Sequence, residues 1–333
     1  MKVMQGIGKK RDGRGVSVRG NSDVEAVITS FNQKSMIYEA VQSLCRQTMQ
    51  PKRIIIVDDG STDKESIQVL HEIESDSKMP VPILIIRQQN GGVSAARNAG
   101  IRKTEAPFVL VLDGDDSLEP DYVQEVCKLL YDNPAMIAAS SWMHTFGVLD
   151  AVVSPDGGNI SAFLSHNCCP ASHICRRRVW EQCGGYDETM RSGFEDWDFF
   201  LNMLETVPDG FIGIVEKPLI NYRTTPVSSN IRSMDKRLEL MRFIIEKHMS
   251  IYREHIADAV LGVEAISMAR LYGWESEIMH SKLSNGCVCG MSDQFMENPS
   301  YGDGGMAAAV RIASGMEREA NYGEILGTKE ISG

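Results

Sequence analysis

The segment "APFVLVLDGDDSLEP" places three carboxylates, Asp113, Asp115 and Asp116, directly after an apolar run. Like charges at this spacing repel one another unless a cation or water compensates them. Gly114 permits a tight turn that brings Asp113 and Asp115 to the same side, and two oxygen ligands so placed suit Mg²⁺ or Mn²⁺. We therefore predict a divalent metal site at Asp113 and Asp115, open to a diphosphate. The alternative is a solvated turn in which Asp116 caps the next helix.

Two other segments carry polar groups that suit a nucleotide. In "VDDGSTD", Asp58 and Asp59 end a second apolar run, and one such carboxylate can accept a hydrogen bond from the imide N–H of uracil. In "NGGVSAARNAG", Gly92 permits close backbone approach at a helix start, and Arg97 follows within reach of a phosphate or an acidic side chain. The alternatives are helix capping for the first segment and, for the second, a structural turn with a salt-bridged arginine.

A fourth segment, "GFEDWDFFLNML", begins with acids and continues with apolar residues at helical spacing. Glu195 and Asp196 follow the short sequence "RSG", and Trp197 lies beside them, where an acceptor could stack on its ring. A carboxylate here can remove a proton from an incoming hydroxyl or thiol. The alternative is that these acids only favour the positive end of the helix dipole.

The elements that must position these groups are strands followed by helices. Four such units occur in about 110 residues from Val24, and near-continuous apolar strands of this kind indicate a mostly parallel sheet with helices on both faces. Ligands of such sheets collect at the C-terminal strand ends. Those ends read "TSFN", "DDGS", "QNGG" and "DGDD". Beyond Ser228 the amphipathic spacing predicts a helical extension.

Composition narrows the class of protein. A chain of 333 residues with 43% hydrophobic residues can bury a sizeable core. A net charge of −11 argues against a nucleic-acid partner. No run reaches the roughly 18 to 20 apolar residues of a transmembrane segment, so we expect a cytoplasmic protein. The basic first residues, "MKVMQGIGKKRDGRG", predict a flexible arm, with weak peripheral contact at the inner face of a membrane as the alternative.

The segments "VITSFN", "IIIVDDGSTD", "NGGVSAARNAGI", "VLVLDGDDSLEP", "GGYDE" and "GFEDWDFF" resemble, in order and spacing, those of the family 2 glycosyltransferases, inverting enzymes of the GT-A fold. The resemblance covers residues 24–223. It implies an α/β fold in which a GT-A catalytic domain spans residues 23–227. Its nucleotide-sugar half would be about 23–116 and its acceptor half about 117–227. A flexible arm, 1–22, and a helical C-terminal extension, 228–333, would flank it.

The resemblance also implies roles for single residues. The family's catalytic base falls on Asp196 and its DxD metal ligands fall on Asp113 and Asp115, which serve Mn²⁺ or Mg²⁺. No histidine ligand is evident after the later strand "NYR", whose Arg223 would contact the diphosphate. Glu195 and Trp197 would lie on the acceptor side. The nucleotide-sugar contacts would be Thr29, Asp58, Asp59, Gly92, Arg97, Asp113 and Asp115.

The activity implied is inverting transfer of a hexosyl or N-acetylhexosaminyl group from a nucleotide-diphospho donor, most simply a UDP-sugar, to an acceptor. The acceptor stays open among saccharides, lipid-linked sugars, peptides and small molecules. The extension is expected to form a lid, an acceptor site or a homodimer contact. The alternative function is a non-catalytic nucleotide-sugar-binding or scaffold subunit. Intact Asp113, Asp115 and Asp196 argue against it.

Overall fold

The computed structural model of the chain describes residues 22–283 and 291–316. Within them, nine strands form one sheet. They are β1 (Val24–Ser30), β2 (Ile54–Asp58), β3 (Ile83–Arg87), β4 (Phe108–Asp113), β5 (Ser117–Leu118), β6 (Met136–Gly147), β7 (Ala151–Val153), β8 (His173–Arg176) and β9 (Phe211–Thr224). Their order across the sheet is β3-β2-β1-β4-β8-β6-β9-β5, and β7 pairs with β6.

The helices of the first 227 residues follow or separate these strands. They are α1 (Met36–Cys45), α2 (Lys64–Ser75), α3 (Val93–Ile101), α4 (Tyr122–Asp132), α5 (Ile160–Phe163), α6 (Arg177–Cys183) and α7 (Glu195–Thr206). Six more belong to the extension: α8 (Ser229–Asp235), α9 (Arg237–Lys247), α10 (Met249–Glu254), α11 (Ile256–Leu283), α12 (Met291–Glu297) and α13 (Gly305–Ala313). The predicted helical character of the extension is confirmed for its described residues.

The first half of the sheet is parallel, as predicted. The pairs β1–β2, β2–β3 and β1–β4 are all parallel. The second half is mixed, because β8 runs antiparallel between β4 and β6, whereas β6 and β9 pair in parallel. The chain leaves β1 on one side for β2 and β3 and returns on the other side with β4. That reversal creates the crevice in which ligands of open α/β sheets bind.

Apolar residues on alternate positions of the strands build two cores. Val27, Ile55 and Val111 face one layer, which contains α3, α6 and α7. Ile28 and Ile56 face the other, which contains α1, α2 and α4. Helices on both faces of the sheet, as predicted, therefore hold the strand ends rigidly in place.

The extension packs against the sheet and helices of the first 227 residues. Leu240, Ile244, Tyr252 and Ala259 are buried in the same hydrophobic cluster as α7. In residues 22–283 and 291–316, no helix combines the length and apolar character that crossing a bilayer requires. The predicted basic arm lies, up to residue 21, outside the described residues.

Candidate active site

The switch point of the sheet brings three of the predicted side chains together. The pairing of β1 with β4 sets Thr29 beside Asp113, and the pairing with β2 sets Ser30 beside Asp58. The Thr29 hydroxyl donates to Asp113 Oδ1 at 3.3 Å. These ends form the nucleotide side of the candidate site.

Asp59 fastens the loop before α3 to the end of β2. Its Oδ1 accepts from Gln88 Nε2 at 2.8 Å and from the Gly91 amide at 2.7 Å, and its Oδ2 accepts from the Gly92 amide at 2.8 Å. Gly92 has a φ of +89°, which favours glycine at this helix start. The carboxylate therefore shapes the loop in addition to any contact with a base, which stays a prediction for both Asp58 and Asp59.

The three acids after β4 have three different environments. Asp113 accepts from Arg97 Nη2 at 2.8 Å. Asp116 is buried and accepts from the Arg223 amide at 2.9 Å, so it ties the turn to β9. The Asp115 carboxylate accepts no hydrogen bond from any other residue in the described part of the chain. Burial, and next the charge of Asp113, raise the pKa of Asp115 to about 6.

The open carboxylate of Asp115 fits a divalent cation. A cation there would relieve the repulsion between Asp115 and Asp113 that raises the pKa of Asp115. In the described residues there is no cluster of three or more acidic, histidine or cysteine side chains able to hold a metal. Any ion at this place would therefore need ligand oxygens from the bound substrate or water, a sparse protein ligation that Mg²⁺ tolerates well.

Arg97 joins the nucleotide side of the site to the predicted catalytic helix. Its side chain is 2% exposed, and its Nη1 donates to Glu195 Oε1 at 3.1 Å while Nη2 holds Asp113. Burial alone would lower the pKa of Arg97, but the Asp113 carboxylate raises it far above its usual value. The structure thus shows Arg97 paired with acidic side chains, which is one of the two alternatives that the sequence left open for it. Contact with a phosphate stays a prediction.

Asp196 has the surroundings of a base. It lies in the first turn of α7, where Oδ1 accepts from the Trp197 amide at 2.8 Å. Its Oδ2 accepts from Asn167 Nδ2 at 2.9 Å. Burial, and next the charge of Glu195, raise the pKa of Asp196 to about 7. A carboxyl group with this pKa is ionised in part at neutral pH and is basic enough to accept a proton from a hydroxyl group.

Two predicted site residues have mainly structural contacts here. Trp197 is 1% exposed, and its indole N–H donates to the Phe163 carbonyl at 2.7 Å. Trp197 also lines the cavity beside Asp196, so the expected stacking of an acceptor on its ring stays a prediction. Arg223 donates to the Asp115 carbonyl at 3.1 Å and to Glu39 at 2.6 Å, which steadies the acidic turn. Its predicted contact with a diphosphate stays untested.

Several important residues escaped the sequence reasoning. Asn167, which holds Asp196, lies in the polar stretch "SHNCCPASH", and nothing in its spacing marks it out. Asp198, the last acid of "EDWD", is 1% exposed and accepts from Lys247 at 2.8 Å and from His248 at 3.0 Å. His248 also lies 3.1 Å from Glu205. These ion pairs bind the extension to α7.

A cavity of about 170 Å³ lies beside Asp196. Asp113, Arg97 and Glu195 line it, together with Asn167. The extension lines it too, through α8 and residues 301–307. In the described part of the chain, Asp196, Arg97 and Asp113 thus line the same cavity.

Comparison with known proteins relates this chain to glycosyltransferases. Residues 25–179 match the family model described as Glycosyl transferase family 2. This part of the chain is similar to the family 2 glycosyltransferases. Relatives of the chain include the glycosyltransferase GlyA of Streptococcus pneumoniae serotype 4, which is 24% identical over 79% of this chain. YwdF of Bacillus subtilis, named as a glycosyltransferase, is 23% identical over 54% of this chain.

Solved structures agree on the fold. The crystal structure of S. aureus TarS 1–349 aligns with a TM-score of 0.53 and 17% identity, over 75% of this chain and 74% of TarS 1–349. The same fragment in complex with UDP-GlcNAc also aligns with a TM-score of 0.53, over 66% and 65% of the two chains, at 17% identity. The predicted GT-A fold is thereby confirmed. The chain spans 41% of the length of GlyA and 66% of that of YwdF.

Proposed function

We propose that this glycosyltransferase moves a hexosyl or N-acetylhexosaminyl group from a UDP-sugar to an acceptor hydroxyl by a single displacement that inverts the anomeric carbon. Asp196 acts as the base. The complex of TarS 1–349 with UDP-GlcNAc supports this donor class, since that protein shares the fold. The environment of Asp196 is the observation that carries the proposal.

Asp196 combines a suitable pKa with a fixed orientation. Its pKa of about 7 provides the ionised form at neutral pH without making it a weak base. The hydrogen bonds from the Trp197 amide and from Asn167 fix both oxygens. The carboxylate lies in the same cavity as Asp113, at the sheet end where the nucleotide is expected. An acceptor in this cavity would therefore meet the base next to the donor.

The proposed reaction is a single concerted displacement. The acceptor O–H gives its proton to Asp196 while its oxygen attacks the anomeric carbon. The bond from that carbon to the diphosphate oxygen breaks, and UDP leaves with the electron pair. Arg97 contributes by holding Asp113 and Glu195 in register, so that the two sides of the site keep a fixed separation. An α-linked donor gives a β-linked product.

Asp115 and Asp113 would hold Mn²⁺ or Mg²⁺ in this reaction. When bound, such an ion neutralises negative charge on a leaving diphosphate. The protein's own part is to keep the Asp115 carboxylate free. Arg223 does this by holding the backbone of the turn through the Asp115 carbonyl, which leaves the side chain of Asp115 unengaged.

The test is release of UDP from a panel of UDP-sugars in the presence of Mn²⁺, followed by transfer to a mixture of acceptors. We expect slow UDP release from at least one donor, and loss of this release in Asp115→Ala. Asp121→Ala is the matched control, because Asp121 is exposed and caps no backbone amide of α4. Equal UDP release by both variants would contradict the role of Asp115.

The base is tested separately. Asp196→Asn keeps the size of the side chain and removes its basicity, so we expect kcat for transfer to fall by about 10²- to 10⁴-fold. The anomeric configuration of the product, read by NMR spectroscopy, should be inverted. Normal transfer by Asp196→Asn, or a product of retained configuration, would refute the proposed mechanism.

A further inference from the structure

The cavity beside Asp196 shares only Arg97 and Asp113 with the predicted nucleotide contacts. None of Thr29, Asp58, Asp59 and Gly92 lines it. Because the base must touch the acceptor hydroxyl, the acceptor has to occupy space next to Asp196. The walls of this cavity therefore describe the reacting end of the acceptor, in so far as the proposed function holds.

The extension supplies one of these walls. Tyr301, Gly302 and Met306 line the cavity, as do Asn230 and Met234 of α8. Gly302 has a φ of +73°, and a Cβ atom added there would overlap the backbone carbonyl of Asn167, the residue that holds Asp196. The extension is thus in van der Waals contact with the support of the base.

This wall is fixed by charged side chains. Arg237 Nη1 donates to the Gly302 carbonyl at 3.0 Å. Arg270 Nη2 donates to the Asp303 carbonyl at 2.9 Å and lies 3.0 Å from the Asp303 carboxylate. Asp303 in turn accepts from the Gly305 amide at 2.9 Å. The loop before α13 therefore has a defined position on the cavity.

Acidic side chains outnumber basic ones in the described lining of the cavity, although burial raises the pKa of Asp116 well above its usual value. Its acidic lining residues are Asp113, Asp116, Glu195 and Asp196, and its single basic residue in the described chain, Arg97, already pairs with two of these acids. Apart from a metal ion that Asp113 and Asp115 would share with the donor diphosphate, the described lining offers an anionic acceptor no unpaired cation, and the acceptor would lose hydration here. The diphosphate of the donor is a different case, because a cation on Asp115 would serve it.

Neutral groups make up the rest of the lining. Ser172 lines the cavity and is buried, with 3% of the residue exposed, and its hydroxyl has no hydrogen-bond partner in the described part of the chain. Buried hydroxyl groups are rarely left unpaired, so Ser172 is suited to a ligand hydroxyl. Tyr222, Tyr301 and Met234 offer apolar surface against the C–H face of a sugar ring.

We infer that α8 and residues 301–307 form the acceptor subsite of this enzyme and that the reacting end of its acceptor is an uncharged saccharide. The inference rests on the proposed function. It specifies that function, because it excludes acceptors whose reacting sugar carries a carboxylate or phosphate. The extension is accordingly part of the acceptor-binding machinery.

The test uses matched pairs of p-nitrophenyl glycosides, the glucoside with the glucuronide and the galactoside with the galacturonide. Within a pair, only the group at C6 differs, a neutral hydroxymethyl or a carboxylate. With a donor that the enzyme hydrolyses, we expect kcat/KM for the hexoside to exceed that for the hexuronide about tenfold or more, as one unpaired buried charge predicts. Products are counted by mass spectrometry.

Asn230→Lys adds a cation to the proposed wall, and we expect it to bring the two rates of a pair within about threefold of each other. Val227→Lys is the control, because Val227 is 74% exposed and lies outside the cavity lining. It should leave the ratio unchanged. Asn230→Asp should move the ratio further toward the hexoside, which keeps the test decisive if the lysine variant folds poorly.

The outcomes separate this inference from the proposed function. If no UDP-sugar is hydrolysed, the proposed function fails. If a donor is hydrolysed but the hexuronides react as well as the hexosides, or no hexoside reacts, the inference is overturned. An unchanged ratio in both Asn230 variants would also overturn the assignment of α8 to the acceptor.

Discussion

The hydrogen bond from Asn167 to Asp196 offers the sharpest test of how the base is tuned. Asn167→Ala removes the donor 2.9 Å from Oδ2 and leaves the other contact of Asp196, with the Trp197 amide, in place. A hydrogen bond to an ionised group contributes about 1.5–3 kcal/mol. Since about 1.4 kcal/mol is tenfold in a protonation equilibrium, the ionised fraction of Asp196 should fall roughly 10- to 100-fold on the acidic side.

The assay is the pH dependence of kcat/KM for transfer. In the wild type, the rate should rise with pH and level off above about pH 7, because the pKa of Asp196 is about 7. In Asn167→Ala the rising limb should move to higher pH, so that the loss of rate is large near pH 6 and small near pH 9. A purely structural defect would instead lower the rate equally at every pH.

Asn202→Ala provides the matched control. Asn202 lies on α7, as Asp196 does. Like Asn167 it donates a side-chain amide hydrogen bond, here to the backbone carbonyl of Cys183 at 2.8 Å. Its removal should cost about 1 kcal/mol of stability and leave the pH profile where it is. If Asn167→Ala and Asn202→Ala gave the same pH profile, the contribution of the Asn167 hydrogen bond to the basicity of Asp196 would be refuted.

Three further predictions concern the metal, the extension and the wall of the cavity. In the presence of UDP, affinity for Mn²⁺ measured by calorimetry should rise as the pH passes about 6 and should be lost in Asp115→Asn; a pH-independent affinity would contradict a site at this carboxylate. Burial opposes the charge of His248, but hydrogen bonds to Asp198 and then Glu205 raise its pKa from 6.5 to about 9. The folded state therefore binds the proton more tightly than the unfolded state. This stabilisation is complete below about pH 6.5 and is lost as the pH rises through 9. In urea unfolding, the advantage of the wild type over His248→Gln should shrink by up to about 3 kcal/mol between pH 6 and 10, and a constant difference would argue against the ion pair. Gly302→Ala should impair transfer and stability far more than Gly315→Ala. Both positions have positive φ, but only at the first does the added methyl group overlap a backbone carbonyl, as circular dichroism and rate measurements together can test.

The first half of the fold could be predicted from the sequence, because the patterns that mark its strands and helices are local. Strands such as "IIIVD" are buried along their whole length, and the polar residues at their ends mark the switch point. The long strands β6 and β9 are harder to predict from the sequence. Both include polar residues such as His144 and Asn221, and they pair with each other through several register shifts, which no periodicity of a single strand reveals.

The candidate site divides in the same way. Asp113, Asp115 and Asp196 stand in segments whose order and spacing are distinctive. The residues that give them their properties are remote in sequence and common in type. Asn167 precedes Asp196 by 29 positions, and the Ser172 hydroxyl matters because it lacks a partner. Such roles depend on tertiary packing, which also buries Trp197 beside the cavity that it lines.

The attachment of the extension has a consequence for protein engineering. A fragment cut at residue 227, after the last segment of the family resemblance, would lack Lys247 and His248 and so leave Asp198 as an unpaired buried charge. A fragment must therefore reach at least to His248 to keep these partners, and to Ala313, the end of α13, to keep the cavity wall that residues 301–307 supply. Exchange of the segment from Ser229 to Ala313 between homologous enzymes would give hybrids that test the inferred acceptor role of the extension. Such hybrids would need Asp198 and its partners to come from compatible parents.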